Sequence, residues 1–258
     1  MDFFDQICQV IAETENRRPG SVARGAAVEE FFSSAAVPPV QLPEKKSVPA
    51  AVPEKTTDKV VPVPAAAQRQ SGNAAMDELQ QAVAQCRQCQ LCMHRTNPVF
   101  GEGSLQAKLM FIGEGPGADE DRTGRPFVGK AGQLLDKMIC AMQFTREEVY
   151  IANIVKCRPP DNRLPAPDEA AKCLPFLHAQ IDIIRPEVIV LLGATAVKFL
   201  LNTPNGISRM RGRWASFENI PVMPTFHPAF LLRQESAKRE AWHDLQMVMA
   251  RFGKFHRK

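Results

Sequence analysis

The sequence predicts an α/β fold, a parallel four-stranded sheet flanked by helices, preceded by a disordered N-terminal arm. Three observations predict it. Four short apolar runs occur in order: Lys108–Gly113 (KLMFIG), Val149–Val155 (VYIANIV), Val188–Leu192 (VIVLL) and Val222–Phe226 (VMPTF). Helical patterns separate them, and strands alternating with helices argue for a parallel sheet with helices on both faces. The chemically unusual residues fall just past the runs: Gly113–Gly117, Asn153–Pro160, Gly193–Thr195 and His227. Sheets of this kind bind ligands beyond the C-terminal ends of their strands.

The elements follow in chain order. Phe3, Phe4, Ile7, Val10 and Ile11 fall at helical spacing, so residues 1–18 read as a short amphipathic helix. Residues 19–74 include AAVPPVQLPEKKSVPAAVPEKTTDKVVPVPAAA. Repeated prolines there block helices and sheet ladders, and the stretch reads as a disordered Ala/Pro-rich linker. A short helix on a long tether suits capture by a protein partner. The folded domain is expected over residues 75–258, opening with a helix at MDELQQAVAQC. Three apolar helix faces follow: Leu134, Leu135, Met138, Ile139 and Met142; Leu177, Ile181 and Ile184; Val197, Leu200 and Leu201.

Composition narrows the class. The chain has 258 residues and a formal net charge of +4, with 45% hydrophobic residues. No run of 18 or more apolar residues occurs, so no membrane-spanning helix is expected. Asp2 and Asp5 precede any basic residue, the wrong polarity for a secretory signal. A cytoplasmic chain is expected. The positive charge gathers at the end: residues 200–258 carry 10 basic and 4 acidic side chains.

The seven cysteines are Cys8, Cys86, Cys89, Cys92, Cys140, Cys157 and Cys173. In a reducing compartment the clustered ones read as metal ligands rather than disulfides. Cys86, Cys89 and Cys92 form C-x2-C-x2-C, and 15 residues separate Cys157 from Cys173. A CxxC knuckle plus two distant cysteines can supply four thiolates, which suits zinc or an iron–sulfur cluster. Spacing alone leaves that choice open. Cys8 and Cys140 sit alone in helical patterns and read as ordinary packing residues.

The loop Gly113-Glu114-Gly115-Pro116-Gly117 is not the G-x-G-x-x-G of dinucleotide folds. Its glycines would let backbone N–H groups approach a ligand closely.

Several blocks carry a resemblance: VFGEG, GEGPGADEDRTGRPFVGKAGQLLD, NIVKCRPP, RMRGRW and PTFHPAFLLR. Together with the cysteine pattern they resemble the iron–sulfur uracil-DNA glycosylases of family four, over roughly Met76 to Phe252. The resemblance implies hydrolysis of the bond between uracil and deoxyribose in single- or double-stranded DNA, by base flipping. It implies a [4Fe–4S] cluster on Cys86, Cys89, Cys157 and Cys173, with Cys92 outside the set. It makes Phe127 the ring that stacks on uracil, and places Glu120 near uracil C5, where it would crowd thymine's methyl. Gly115 would line the pocket; the best-known uracil class has an aspartate at that position. Asn153 would pair with O4 and N3–H of uracil, a pattern that cytosine inverts. His227 would donate to O2 as negative charge develops, and Glu114 would hold or activate water. Arg209, Arg211, Arg213 and Arg233 suit phosphate contacts, and Leu231 or Leu232 a wedge into the duplex. A related class that bonds covalently to DNA carries a histidine in the stretch matching KCRPPDNRLPAPDEAAKC; none occurs here, so turnover is expected. The expected protein is a monomer at the nucleoid. Two rivals remain open: a module of this fold that binds uracil without turnover, and a zinc-stabilised nucleotide-binding enzyme.

Overall fold

The computed structural model describes residues 2–15 and 65–254. The linker reading therefore lies mostly outside the described residues. It is corrected at its end: helix α2 (Ala65–Gln85) begins inside the stretch read as linker. The first helix, α1, spans Phe3–Glu15.

The sheet has six strands rather than four, and it is mixed. In chain order they are β1 (Glu102–Gly103), β2 (Leu109–Gly113), β3 (Tyr150–Asn153), β4 (Val188–Leu192), β5 (Ala215–Phe217) and β6 (Ile220–Thr225), and across the sheet they run β1-β3-β2-β4-β6-β5. The four predicted runs form the central parallel strands β3, β2, β4 and β6. The added strands are antiparallel edges, β1 on β3 and β5 on β6. Strands of two and three residues are too short to show alternation, so no sequence pattern announces them.

Every residue of β2, β3 and β4 is buried. Strands covered on both faces read as continuous apolar runs, and the two faces separate at every second residue. Phe111, Ile151 and Val190 face one layer, built from α1, α4 (Lys130–Ala141) and α9 (Lys238–Arg251) through Leu135, Met138, Trp242 and Leu245. Met110, Ile112, Ala152 and Leu191 face the other, built from α2, α5 (Pro167–Ile184) and α6 (Ala194–Leu200) through Val83, Leu177, Ile181 and Val197. The shorter helices are α3 (Ala118–Thr123), α7 (Ile207–Met210) and α8 (Pro228–Leu231).

Helix α1 packs on the domain at Phe4 and Ile7. Phe4 and Ile7 are buried in the domain core, and Phe4 meets Trp242 edge-on with ring centroids 6.2 Å apart. Ion pairs flank the contact: Asp5 to Lys137 at 2.7 Å and Asp2 to Lys238 at 2.8 Å. Cys8 donates to the carbonyl of Lys137 at 3.5 Å. Phe4→Ala is expected to cost about 3 kcal/mol through the lost burial and the cavity left behind. Urea unfolding followed by tryptophan fluorescence measures that loss; an unchanged midpoint would mean that α1 adds nothing to the core.

Candidate active site and cysteine pocket

The loops after the parallel strands enclose a cavity of about 210 Å³. Glu114, Gly115 and Gly117 line it from the turn after β2, and Asn153 from the end of β3. Glu120 and Phe127 come from α3 and the turn that follows, His227 from the end of β6, and Asn162 and Arg163 from the loop before α5. All six residues expected at a catalytic or base-binding position thus share one space.

Phe127 is held in a costly conformation. Its φ is +52°, the left-handed region that aromatic residues avoid. The Glu120 carboxylate fixes the turn: Oε1 accepts from the N–H groups of Val128 and Gly129, both at 2.9 Å, and Oε2 from Gly117 N–H at 3.1 Å. Arg146 donates to the carbonyls of Phe127 and Pro126 from the other side. Gly132 lets α4 press against this turn, because a Cβ there would lie 1.9 Å from the Phe127 carbonyl oxygen. Glu120 thus lines the cavity as expected, but both of its oxygens are taken by backbone donors of the turn.

Asn153 is buried, and its Oδ1 has no hydrogen-bond partner. Such an atom is uncommon in folded proteins and marks a place for a donor. Gly113 permits the approach: a Cβ there would fall 2.5 Å from Asn153 Oδ1 and 2.5 Å from Phe127 Cζ. The main-chain carbonyl of Asn153 accepts from Lys156 Nζ at 3.1 Å. That ammonium also donates to Gln180 Oε1 at 2.6 Å, and Gln180 in turn donates to the Phe100 carbonyl and the Tyr150 hydroxyl. Burial pulls Lys156 down to about 8.

His227 caps α8. Its Nδ1 accepts from Ala229 N–H at 3.1 Å, which leaves the hydrogen on Nε2. Burial, helped by the Arg233 charge, pulls its pKa down to about 4, so the ring is a neutral donor. Its centroid lies 5.7 Å from that of Phe127. Glu114 accepts a hydrogen bond from the Thr195 hydroxyl. Burial raises the Glu114 carboxyl above its usual range, and the Thr195 bond opposes that rise.

Two expectations for the outer surface are corrected. Leu231 is fully buried, whereas its neighbour Leu232 is 43% exposed. Arg211 is not free for phosphate: it pairs with Asp244 at 2.6 Å and Glu240 at 3.1 Å, and lies over the Phe226 ring. Arg209, Arg213 and Arg233 are exposed, without an ion pair among the described residues. Arg163 is clamped by both oxygens of Glu169, at 2.7 and 2.8 Å. Sequence reasoning gave no role to Arg146, Lys156, Gln180 or Thr195, although Lys156 and Thr195 lie in strand-end stretches it marked. Their partners across the fold, such as Gln180 for Lys156 and Glu114 for Thr195, are distant in the chain.

A second cavity is lined by Cys86, Cys89, Cys157 and Cys173, and by Cys92 as well. Arg95 Nη1 donates to Cys157 Sγ at 3.0 Å, and Lys156 N–H to Cys173 Sγ at 3.2 Å. Burial raises Cys157 to about 11 and raises Cys89 and Cys173 above the usual thiol range. Among the described residues, no three His, Cys, Asp or Glu side chains converge to hold a single metal ion. No described helix is long and apolar enough to cross a membrane.

The family model described as the uracil DNA glycosylase superfamily matches residues 100–246. A type-4 uracil-DNA glycosylase of Thermotoga maritima is 50% identical over 62% of this chain and 85% of its own length. Those of Sulfurisphaera tokodaii and Archaeoglobus fulgidus are 41% and 40% identical, over 67% and 70% of this chain and 83% and 94% of their own lengths. A family model matching more than half of the chain, and relatives covered over most of their own length, lead to one conclusion: this chain belongs to the uracil-DNA glycosylase superfamily, in its type-4 branch.

Proposed function

We propose that this protein is a monofunctional uracil-DNA glycosylase, which hydrolyses the N-glycosidic bond of deoxyuridine in DNA, releases uracil and leaves an abasic site. The observation that carries the proposal is the unpartnered Oδ1 of Asn153, set beside the Phe127 ring in a cavity of about 210 Å³. A flipped uracil would stack on Phe127. Its N3–H would satisfy Oδ1, and the Asn153 amide N–H would donate to O4. Cytosine offers an acceptor at N3 and a donor at the neighbouring exocyclic group, so it would leave both sides unpaired.

Bond cleavage needs charge stabilised at both ends. As the N1–C1′ electron pair moves onto uracil, the Nε2–H of neutral His227 donates to O2. The sugar becomes oxocarbenium-like. Glu114 holds a water against C1′; the water oxygen bonds to C1′ and its proton passes to the Glu114 carboxylate. Glu120 acts through the turn it builds. Outside the cavity, Arg209, Arg213 and Arg233 would contact phosphates, and the exposed Leu232 rather than the buried Leu231 would be the wedge. The protein would act as a monomer, in the cytoplasm at the nucleoid.

The cysteine pocket fits a [4Fe–4S] cluster on Cys86, Cys89, Cys157 and Cys173. These four cysteines line one cavity together with Cys92, and soft thiolate donors of this kind are what an iron–sulfur cluster takes. Hydrogen bonds from Arg95 and from Lys156 N–H would stabilise two of the sulfurs as thiolates. When bound, the cluster would tie α2, the segment after β3 and α5 together.

Asn153→Ala should lower single-turnover uracil release about 10²- to 10³-fold, the usual cost of removing one donor from a transition-state site. If the variant releases uracil as fast as the native protein, the proposal fails.

Because His227 is neutral above about pH 4, release should show no loss as pH rises from 6 to 8. A rate that falls through that range would identify an imidazolium as the acid instead.

Cys173→Ser should lower bound iron and sulfide and reduce visible absorbance. Full absorbance, or stoichiometric zinc in the native protein, would overturn the cluster assignment.

A further inference from the structure

We infer that Thr195 is a positioning residue for the Glu114 carboxylate. The inference rests on the proposed role of Glu114 as the group that holds water. Thr195 opens α6 at the end of β4, 81 residues from Glu114 in sequence, and its hydroxyl donates to Glu114 Oε2. β4 lies directly beside β2, with Ile112 opposite Leu191, so the two strand ends bring the residues together. The Glu114 main chain is fixed independently, since its carbonyl accepts from Val155 N–H at 3.2 Å. With one carboxylate oxygen occupied by Thr195, no protein group among the described residues bonds Oε1, and Glu114 lines the cavity.

The bond has a consequence for charge as well as direction. Taking a proton from water requires Glu114 as the carboxylate, and burial works against that form. The Thr195 hydroxyl is the donor that favours it. The other titratable or charged groups of the cavity are engaged elsewhere. Glu120, from α3, is held by Gly117, Val128 and Gly129. Arg163, from the loop before α5, is held by Glu169. His227, at the start of α8, is neutral and bonded to Ala229. None of the three bonds Glu114. Loss of the Thr195 hydroxyl therefore shifts Glu114 toward its protonated, inactive form, and the effect is largest at low pH.

The test is the pH profile of single-turnover uracil release for Thr195→Val, which keeps the side-chain shape. At pH 6 the variant should be about tenfold slower than the native protein, the scale of one lost hydrogen bond to a charged acceptor. The deficit should shrink as pH rises. Thr195→Ser should restore the native profile. Affinity for an abasic product oligonucleotide should be unchanged in both variants, which separates positioning from a folding defect. A native profile for Thr195→Val, or a deficit equal at every pH, overturns the inference. Glu114→Gln distinguishes the two levels of the argument: it should be slow at every pH, and adding Thr195→Val to it should change nothing further. If Glu114→Gln releases uracil at the native rate, the reading of Glu114 itself fails. If it is slow while Thr195→Val keeps the native profile, only the role of Thr195 fails.

Discussion

A buried carbonyl oxygen without a donor costs about 1–3 kcal/mol, and the structure around Asn153 prevents that cost from being relaxed away. The residue ends β3, a strand held on one side by β1 and on the other by β2. Just beyond it, Ile154 N–H donates to the Gly113 carbonyl at 3.0 Å, and the Asn153 carbonyl is fixed by Lys156. With its main chain fixed on both sides, the side chain has little freedom to turn toward another partner. The unmet acceptor leaves one fixed place in the cavity for a donor.

The remaining parts of the cavity follow the same logic of donors and rings set before the ligand arrives. Phe127 sits in a left-handed conformation because Glu120, Arg146 and the close approach at Gly132 over-determine its turn. Arg146 extends that support outward, pairing with Asp136 at 2.6 Å and Glu102 at 3.2 Å, so the edge strand β1 braces the ring. His227 is neutral because it is buried, and its tautomer follows from capping α8. Groups arranged this way need no reorganisation as charge develops, which is where such sites gain most of their rate.

The cysteine pocket and Asn153 meet at Lys156. Its main-chain N–H reaches Cys173 Sγ, while its ammonium group reaches the Asn153 carbonyl. The segment Asn153–Cys157 thus carries both a strand end and a cysteine of the second cavity within five residues. Ordering of the cysteine corner and ordering of the Asn153 backbone are coupled through this short stretch.

The sequence by itself determined the parallel core and the cavity. Continuous apolar runs mark strands buried on both faces, and the special residues at their ends mark the edge where a ligand binds. Glu114, Gly115, Asn153 and His227 lie in the strand-end stretches so marked, whereas Glu120 and Phe127 are singled out only by the family resemblance; all six are found together. Tertiary structure alone decided the rest. Leu231 and Leu232 are adjacent and chemically alike, and only packing against the core put the first inside and the second outside. Arg211 looks like its neighbours Arg209 and Arg213 until Asp244, 33 residues later, claims it. The edge strands are too short to carry a period, and α1 shows an apolar face without showing what covers it. Thr195, Arg146 and Lys156 act through partners distant in the chain or through backbone atoms, whose positions exist only once the strands have paired.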